Sequence, residues 1–160
     1  MRGYQGIDRA ESACVHFVRN SEIGGPVDLL FQEVQARSID CVYVDYSQVS
    51  AGVNGLANAF ATLLRLENIP YQSKPWVEFL DDLITLSHRT NGLVIVIDNA
   101  DVLMATDSKQ MFDLIEAFLI QFHHWFEKKK PCHLCFQMER NDALGKVFEA
   151  GRPRRREIFV

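Results

Sequence analysis

Residues 93–97 read LVIVI, a run of five apolar residues with no polar residue between them. The run is far too short to span a membrane, which takes about 20 residues. As a β-strand it is apolar on both faces. A parallel strand that is covered on both sides has this pattern. The stretch therefore predicts a buried strand in the sheet of an α/β protein.

On either side of this strand, β-rich runs alternate with helical patterns. We predict three other strands at Cys14–Val18, Cys41–Tyr46 and Cys132–Met138, and helices at Val27–Ala36, Val53–Leu66, Pro75–Ser87 and Asp107–Phe126. A short helix at Leu144–Ala150 and an extended piece at Glu157–Val160 follow. Alternation of this kind indicates βαβ units, so we expect one α/β domain over residues 1–160. Its sheet should be mainly parallel, with about four strands and helices on both faces.

Composition places the chain among soluble proteins, because it is 48% hydrophobic and 24% charged over 160 residues. No apolar run approaches the length of a membrane span, and the N-terminus MRGYQGIDRAES lacks the apolar core of a signal peptide. We therefore expect a cytoplasmic protein with no membrane contact.

The charge is unevenly distributed. The net charge is −4. From Lys146 onward five basic residues and two acids give +3, so the remainder carries −4 − 3 = −7. An acidic body argues against a nucleic-acid partner and fits a basic one. The basic run Arg152–Arg156 contacts either RNA or another acidic body, or it is a solvated C-terminal run that offsets the acidic body.

The cysteine and histidine patterns predict neither a metal site nor a catalytic site. Cys132 and Cys135 form a CxxC on a predicted strand, where residues three apart point to opposite faces, and no second CxxC is present. We therefore expect core cysteines. His123 and His124 are adjacent on a helix, so they splay about 100° apart and cannot chelate together.

The chain opens with a strand, a turn and a helix, and Leu93–Asp98 ends in an aspartate as a Walker B strand does. These two features raise a nucleotide-binding site as an alternative. A P-loop, however, needs a lysine and a Ser/Thr, and Pro26 and Val27 occupy those positions. Asn99 stands where a catalytic glutamate would follow. We expect no enzyme activity. A degenerate, non-hydrolysing P-loop domain of AAA-like type, acting as a scaffold or nucleotide sensor, stays open.

The predicted helix from Pro75 carries an acidic stripe. A helical wheel places Glu78, Asp81 and Asp82 on the outward side and the aromatic and aliphatic residues, Trp76 among them, on the inward side. Acids stabilise the start of a helix, but acids three and four residues apart repel one another. No basic residue occurs from Trp76 to His88. The stripe is consistent with either a solvated helix face or a surface for a basic partner.

The order of elements over Cys41–Met138, together with Trp76, Phe79, Asp81 and Leu83 in the helix, resembles the barstar family of intracellular ribonuclease inhibitors. The resemblance implies an immunity protein without catalytic residues or cofactor, whose partner is a basic nuclease or other toxin. Residues 41–138 would be its core, 1–40 a strand–helix extension and 139–160 a tail.

The same resemblance implies which residues meet the toxin. Asp81 and Trp76 match the motif, and Tyr71 would add an aromatic contact next to Asp81. Pro75 and Val77 depart from the motif, which has asparagine and aspartate there, and we hypothesise that Glu78 and Asp82 compensate for the missing charge.

Strand order separates the two interpretations. A P-loop fold places the first strand centrally, beside the third and fourth. In the barstar-like interpretation the first strand is an extension and the second strand belongs with the central set.

Overall fold

The computed structural model describes residues 7–10, 14–19, 27–49, 55–72 and 74–139. Its strands are β1 (Val15–Arg19), β2 (Asp40–Asp45), β3 (Leu93–Asp98) and β4 (Cys132–Met138). Its α-helices are α1 (Val27–Gln35), α2 (Gly55–Leu63), α3 (Pro75–Leu86) and α4 (Ala100–Glu127). A short 3-10 turn at Tyr46–Gln48 follows β2.

The four strands form one sheet in the order β1-β4-β3-β2, and every neighbouring pair is parallel. The two inner strands, β3 and β4, are buried almost throughout, while β2 at one edge alternates between buried and exposed residues. Ile95 lies in register with Val42 on one side and with Leu134 on the other. The apolar run at 93–97 is therefore an inner strand of a parallel sheet, as predicted.

Helices cover both faces of the sheet. One face carries the larger core, in which Ile95, Ile97 and Phe136 pack with α2, α3 and α4. The other face carries a smaller core, in which Val94 and Val96 pack with the α1 side. The fold is therefore α/β with a four-stranded parallel sheet between two helical layers. Cys132 belongs to the larger core and Cys135 to the smaller one, so the two thiols face opposite sides, as predicted.

A short segment before β1 packs on the smaller core. Ile7 is buried there, and the main-chain oxygen of Arg9 lies 3.1 Å from Nε2 of His133. The other ring nitrogen of His133 lies 3.0 Å from Nε2 of His16. Asp8 pairs with Arg37. These contacts attach residues 7–10 to β1, β4 and the end of α1.

Helix α4 is longer than the sequence predicts. The expected start, Asp107, lies inside it with non-helical angles (φ −151°, ψ 66°), and its carboxylate accepts a hydrogen bond from the backbone N–H of Gln110 at 3.0 Å. Asp107 thus caps the second of two helical segments in α4. The first segment, which begins at Ala100, was not predicted. Helix α2 is shorter than predicted, and the pieces at Leu144–Ala150 and Glu157–Val160 lie outside the described residues.

The position of β1 does not decide between the two interpretations. In the described sheet β1 is an edge strand that pairs with β4 and not with β3, while β2, β3 and β4 are contiguous. An edge position in the described sheet fits an added strand, and the pairing with β4 fits a P-loop fold, so both interpretations stay predictions. No helix in the described ranges is long and apolar enough to cross a membrane.

Candidate protein-binding surface

Helix α3 is amphipathic. It begins at Pro75, whose fixed φ suits the first helical position, and the carboxylate of Glu78 accepts a hydrogen bond from the backbone N–H of Lys74 at 3.1 Å. Phe79 and Leu83 are fully buried in the larger core. The opposite side of the helix faces solvent, so α3 presents a defined surface.

One member of the predicted acidic stripe is not on that surface. Asp82 is only 8% exposed, and its carboxylate accepts hydrogen bonds from the hydroxyl of Tyr71 and the amide of Asn68, each at 2.6 Å. The expectation that Asp82 points outward is wrong. A helical wheel considers one helix alone, and here the loop before α3 covers the side on which Asp82 lies.

Tyr71 is likewise buried, at 1% exposure, so the expectation of an accessible aromatic contact is also wrong. Burial, followed by the hydrogen bond and negative charge of Asp82, raises the pKa of Tyr71 well above its ordinary value. Its backbone N–H donates to the side-chain oxygen of Asn58 at 2.8 Å, which ties the loop to α2 as well. Tyr71 and Asp82 together hold the loop against the helix.

The other predicted residues remain accessible. Asp81 is exposed, Glu78 is half-buried, and Trp76 is half-buried against the rings of Phe60 and Phe79. Asp81 makes no hydrogen bond or ion pair with any residue that the structure describes. Their role in partner binding stays a prediction, and three of the five predicted residues can be reached by a partner.

The surface also carries a groove that the sequence did not reveal, with Trp76 and Val77 of α3 in its lining. It has a volume of about 410 Å³ and runs between α3 and α4. Its lining is mainly apolar, with Asp113, Glu116 and Lys74 as the charged members. Val77 and Ile120 stand in it with 53% and 67% of their surface exposed. Aliphatic side chains this exposed in one groove are typical of an interaction surface.

The carboxyl ends of β2 and β3 hold the residues of the alternative site. Asp98 accepts hydrogen bonds from the hydroxyl of Tyr43 and from the backbone N–H of Asn99. The side-chain amide of Asn99 donates to Asp45 at 2.7 Å, and Ser47 also donates to Asp45 at 2.7 Å. The bond from Ser47, then that from Asn99, lowers the pKa of Asp45. The turn with Pro26, which would face phosphate, lies outside the described residues.

A cluster of basic side chains at the opposite edge was also not predicted. The ammonium group of Lys128 donates to the hydroxyl of Ser87 at 2.8 Å and lies 3.2 Å from Nε2 of His88. That hydroxyl is also 3.2 Å from Nε2 of His124. Lys130 donates to the main-chain oxygen of Ser87 at 2.7 Å. Lys130, which follows α4, thus satisfies a carbonyl at the end of α3.

Within the parts of the chain that the structure describes, no group of three or more His, Cys, Asp or Glu residues could hold a metal ion. No family model matches the chain, and no curated protein matches it.

A solved structure does share the architecture. The chain is similar to the ORC2 protein of Aeropyrum pernix, solved as ADPNP-ADP complexes, with a TM-score of 0.62 and 10% sequence identity. The match covers 88% of this chain and 38% of that protein. At this identity the likeness shows the fold alone. It extends over most of the present chain and over less than half of the other.

Proposed function

We propose that this chain is a non-catalytic binding protein whose ligand is a basic protein. A basic ribonuclease or related toxin is the ligand that the barstar resemblance implies. The observation that carries the proposal is the exposure of Asp81 on an amphipathic helix, without a basic residue paired to it among the described residues. An exposed carboxylate of this kind is available to a cationic partner.

Long-range charge supports the same proposal. The chain outside residues 146–160 carries −7, and an acidic body attracts a basic partner over distances set by the ionic strength. Such attraction raises the association rate, which matters when a toxin acts in the cell that makes it. Because Tyr71 and Asp82 are buried, the proposed partner-binding surface consists of the remaining predicted residues, Asp81, Glu78 and Trp76.

The test is a titration of the full chain with a barnase-type ribonuclease and with any toxin encoded beside this chain's own gene. We expect nuclease inhibition, with an association rate that falls as salt rises. Asp81→Ala should weaken binding by more than about 1 kcal/mol. Thr85→Ala, one turn further along the exposed side of α3, is the matched control and should leave the affinity unchanged. Inhibition that is insensitive to both salt and Asp81→Ala would refute the proposed surface.

A second candidate follows from the likeness to the ORC2 structure and from the pairing of β1 with β4. In this candidate the chain is a degenerate AAA-like domain that serves as a scaffold. Pro26 and Val27 replace the lysine and the Ser/Thr that a P-loop uses on phosphate and magnesium, so hydrolysis is not expected. Calorimetric titration with ATP and ADP distinguishes the two candidates. Saturable binding at micromolar concentration would favour the nucleotide-related domain and refute the inhibitor.

A further inference from the structure

The groove between α3 and α4 has the dimensions of a helix-binding site. Its lining comes from residues 74–80 on the α3 side and 113–120 on α4. At 1.5 Å per residue each wall is about 10–12 Å long. A bound helix places apolar side chains at i, i+3, i+4 and i+7 over the same distance.

The floor and the walls of the groove differ in burial. Pro75, Leu80 and Ala117 are buried and form the floor, so the bottom of the groove is already packed. Val77 and Ile120 rise beside it, each more than half exposed. These wall residues lose water when a ligand binds, and with the half-buried Trp76 they supply apolar area that favours binding.

The charges beside the groove select the ligand. Lys109 donates to Asp113 at 2.5 Å, four residues along α4, so that acid is already paired. Glu116 lines the groove, and Asp81 follows Val77 by one turn on α3. Among the described residues Glu116 is thus the unpaired carboxylate of the α4 wall, Asp81 lies on α3 just beyond the lining, and Lys74 also lines the groove. A ligand with basic residues on both sides of its apolar stripe matches this arrangement.

We propose that the α3–α4 groove binds an amphipathic helix of the partner protein, with an apolar stripe between Val77 and Ile120 and basic flanks against Asp81 and Glu116. This inference rests on the proposed function in that it takes the ligand to be a basic protein. It adds the structural element that is bound. A second copy of this chain fits less well, because a two-fold contact would bring the same carboxylates of both copies together.

The experiment uses two synthetic helical peptides of about 18 residues. They share one leucine stripe, which is flanked by lysine in the first and by glutamate in the second. Fluorescence anisotropy with the full chain measures both affinities. We expect the lysine peptide to bind about tenfold more tightly, or better, than the glutamate peptide, a difference of about 1.4 kcal/mol.

The chain offers a matched pair of variants. Ile120 lines the groove, whereas its neighbour Leu119 is 51% exposed but lies outside the lining. We expect Ile120→Ser to weaken binding of the lysine peptide about tenfold and Leu119→Ser to change it less than about twofold. Equal losses in the two variants would show adsorption to exposed apolar residues in general and would overturn the proposal.

Three further outcomes bear on the groove and on the proposed function. If sedimentation shows a dimer that Ile120→Ser dissociates, a second copy occupies the groove and the proposal is wrong. If the lysine peptide does not bind while the chain still inhibits a nuclease through Asp81, the groove proposal fails and the proposed function stands. If the peptide binds at the groove and no nuclease is inhibited, the groove proposal stands and the proposed function fails.

Discussion

The hydroxyl of Tyr71 donates a hydrogen bond to Oδ2 of Asp82 at 2.6 Å, in the interior of the protein. The amide of Asn68 donates to the other oxygen of the same carboxylate, also at 2.6 Å. Both oxygens of a buried acid are thus bonded to the loop that precedes its own helix. This acid stabilises the structure around the candidate surface and does not belong to the surface.

Asp82→Ala should therefore destabilise the fold, while Asp81→Ala should not. Removing the buried carboxylate leaves the Tyr71 hydroxyl and the Asn68 amide without their acceptor, at an expected cost of about 2–4 kcal/mol. Asp81 is exposed, so its replacement should stay within about 0.5 kcal/mol. Urea unfolding of the two variants measures both free energies. Similar values for the two would contradict the burial of Asp82.

Gly92 is required by its contact with Pro131. A Cβ atom at residue 92 would lie 2.7 Å from Cγ and 2.8 Å from the main-chain oxygen of Pro131. That oxygen accepts the backbone N–H of Leu93 at 2.9 Å, so it cannot move without loosening the start of β3. We expect Gly92→Ala to cost about 1–3 kcal/mol in thermal unfolding. Asn91→Ala, at the exposed neighbour, is the control and should stay within about 0.5 kcal/mol.

Asn99 has a left-handed backbone, with φ 52° and ψ 37°, and its side chain reaches Asp45. Alanine loses the side-chain bond and is strained at this φ, whereas glycine loses only the bond. We expect the protein with asparagine to be the most stable and the alanine variant the least. The free energy of unfolding of the glycine variant should exceed that of the alanine variant by about 1 kcal/mol. Chemical denaturation of the three proteins gives the order. An alanine variant as stable as the glycine variant would contradict the left-handed conformation.

Stability should fall in mild acid because of His124. Burial, then the charge of Lys128 and then His88, lowers the pKa of His124 in the folded chain. In the unfolded chain its pKa is about 6.5. As the pH falls through that value, the unfolded chain binds a proton that the folded chain does not, so this contribution to stability is present above about pH 6.5 and is lost below it.

The variant His124→Gln should flatten this pH dependence, measured as the free energy of unfolding between about pH 5 and 7.5. His123→Gln is the control, because His123 is exposed and lies 3.0 Å from Glu127 on the same helix face. An unchanged slope in His124→Gln would assign the effect to other groups.

The cysteines should be unreactive in the folded protein. Burial raises the pKa of Cys14, Cys132 and Cys135, and burial followed by the charge of Asp40 raises that of Cys41 to about 12. Only the thiolate attacks a disulfide reagent. We expect slow reaction with Ellman's reagent in native buffer and reaction of all four thiols in denaturant. Rapid reaction of the two CxxC thiols, Cys132 and Cys135, in native buffer would contradict a purely structural role for them.

The sequence predicted the sheet well because apolar periodicity depends on local burial. The run at 93–97 and the strand Cys132–Met138 lie where predicted, the latter with the same bounds. The start of α4 was misplaced for an identifiable reason. Asp107 accepts from the backbone N–H of Gln110, which is a helix-start signal, but here the signal marks a bend within one helix.

The candidate surface was less predictable, because it depends on contacts between elements. The wheel gave the correct side for Asp81 and the wrong one for Asp82, since only the folded loop shows that Tyr71 covers that side. The groove needs α3 and α4 side by side, and Val77 and Ile120 are far apart in sequence. Apolar patterns within one helix carry no information about such a pair.

The unequal size of the two cores has a consequence for how the molecule opens. Among the residues whose burial is described, the face with α2, α3 and α4 contains most of the buried apolar ones, whereas the α1 face contains fewer, among them Ile7, Val18 and Val34. The free energy needed to open a region follows the apolar contacts it would lose. On this count we expect α1 and residues 7–10 to open at a lower free energy than β2, β3 and β4, whereas β1 is held by both cores, because Cys14 and Phe17 pack in the larger one.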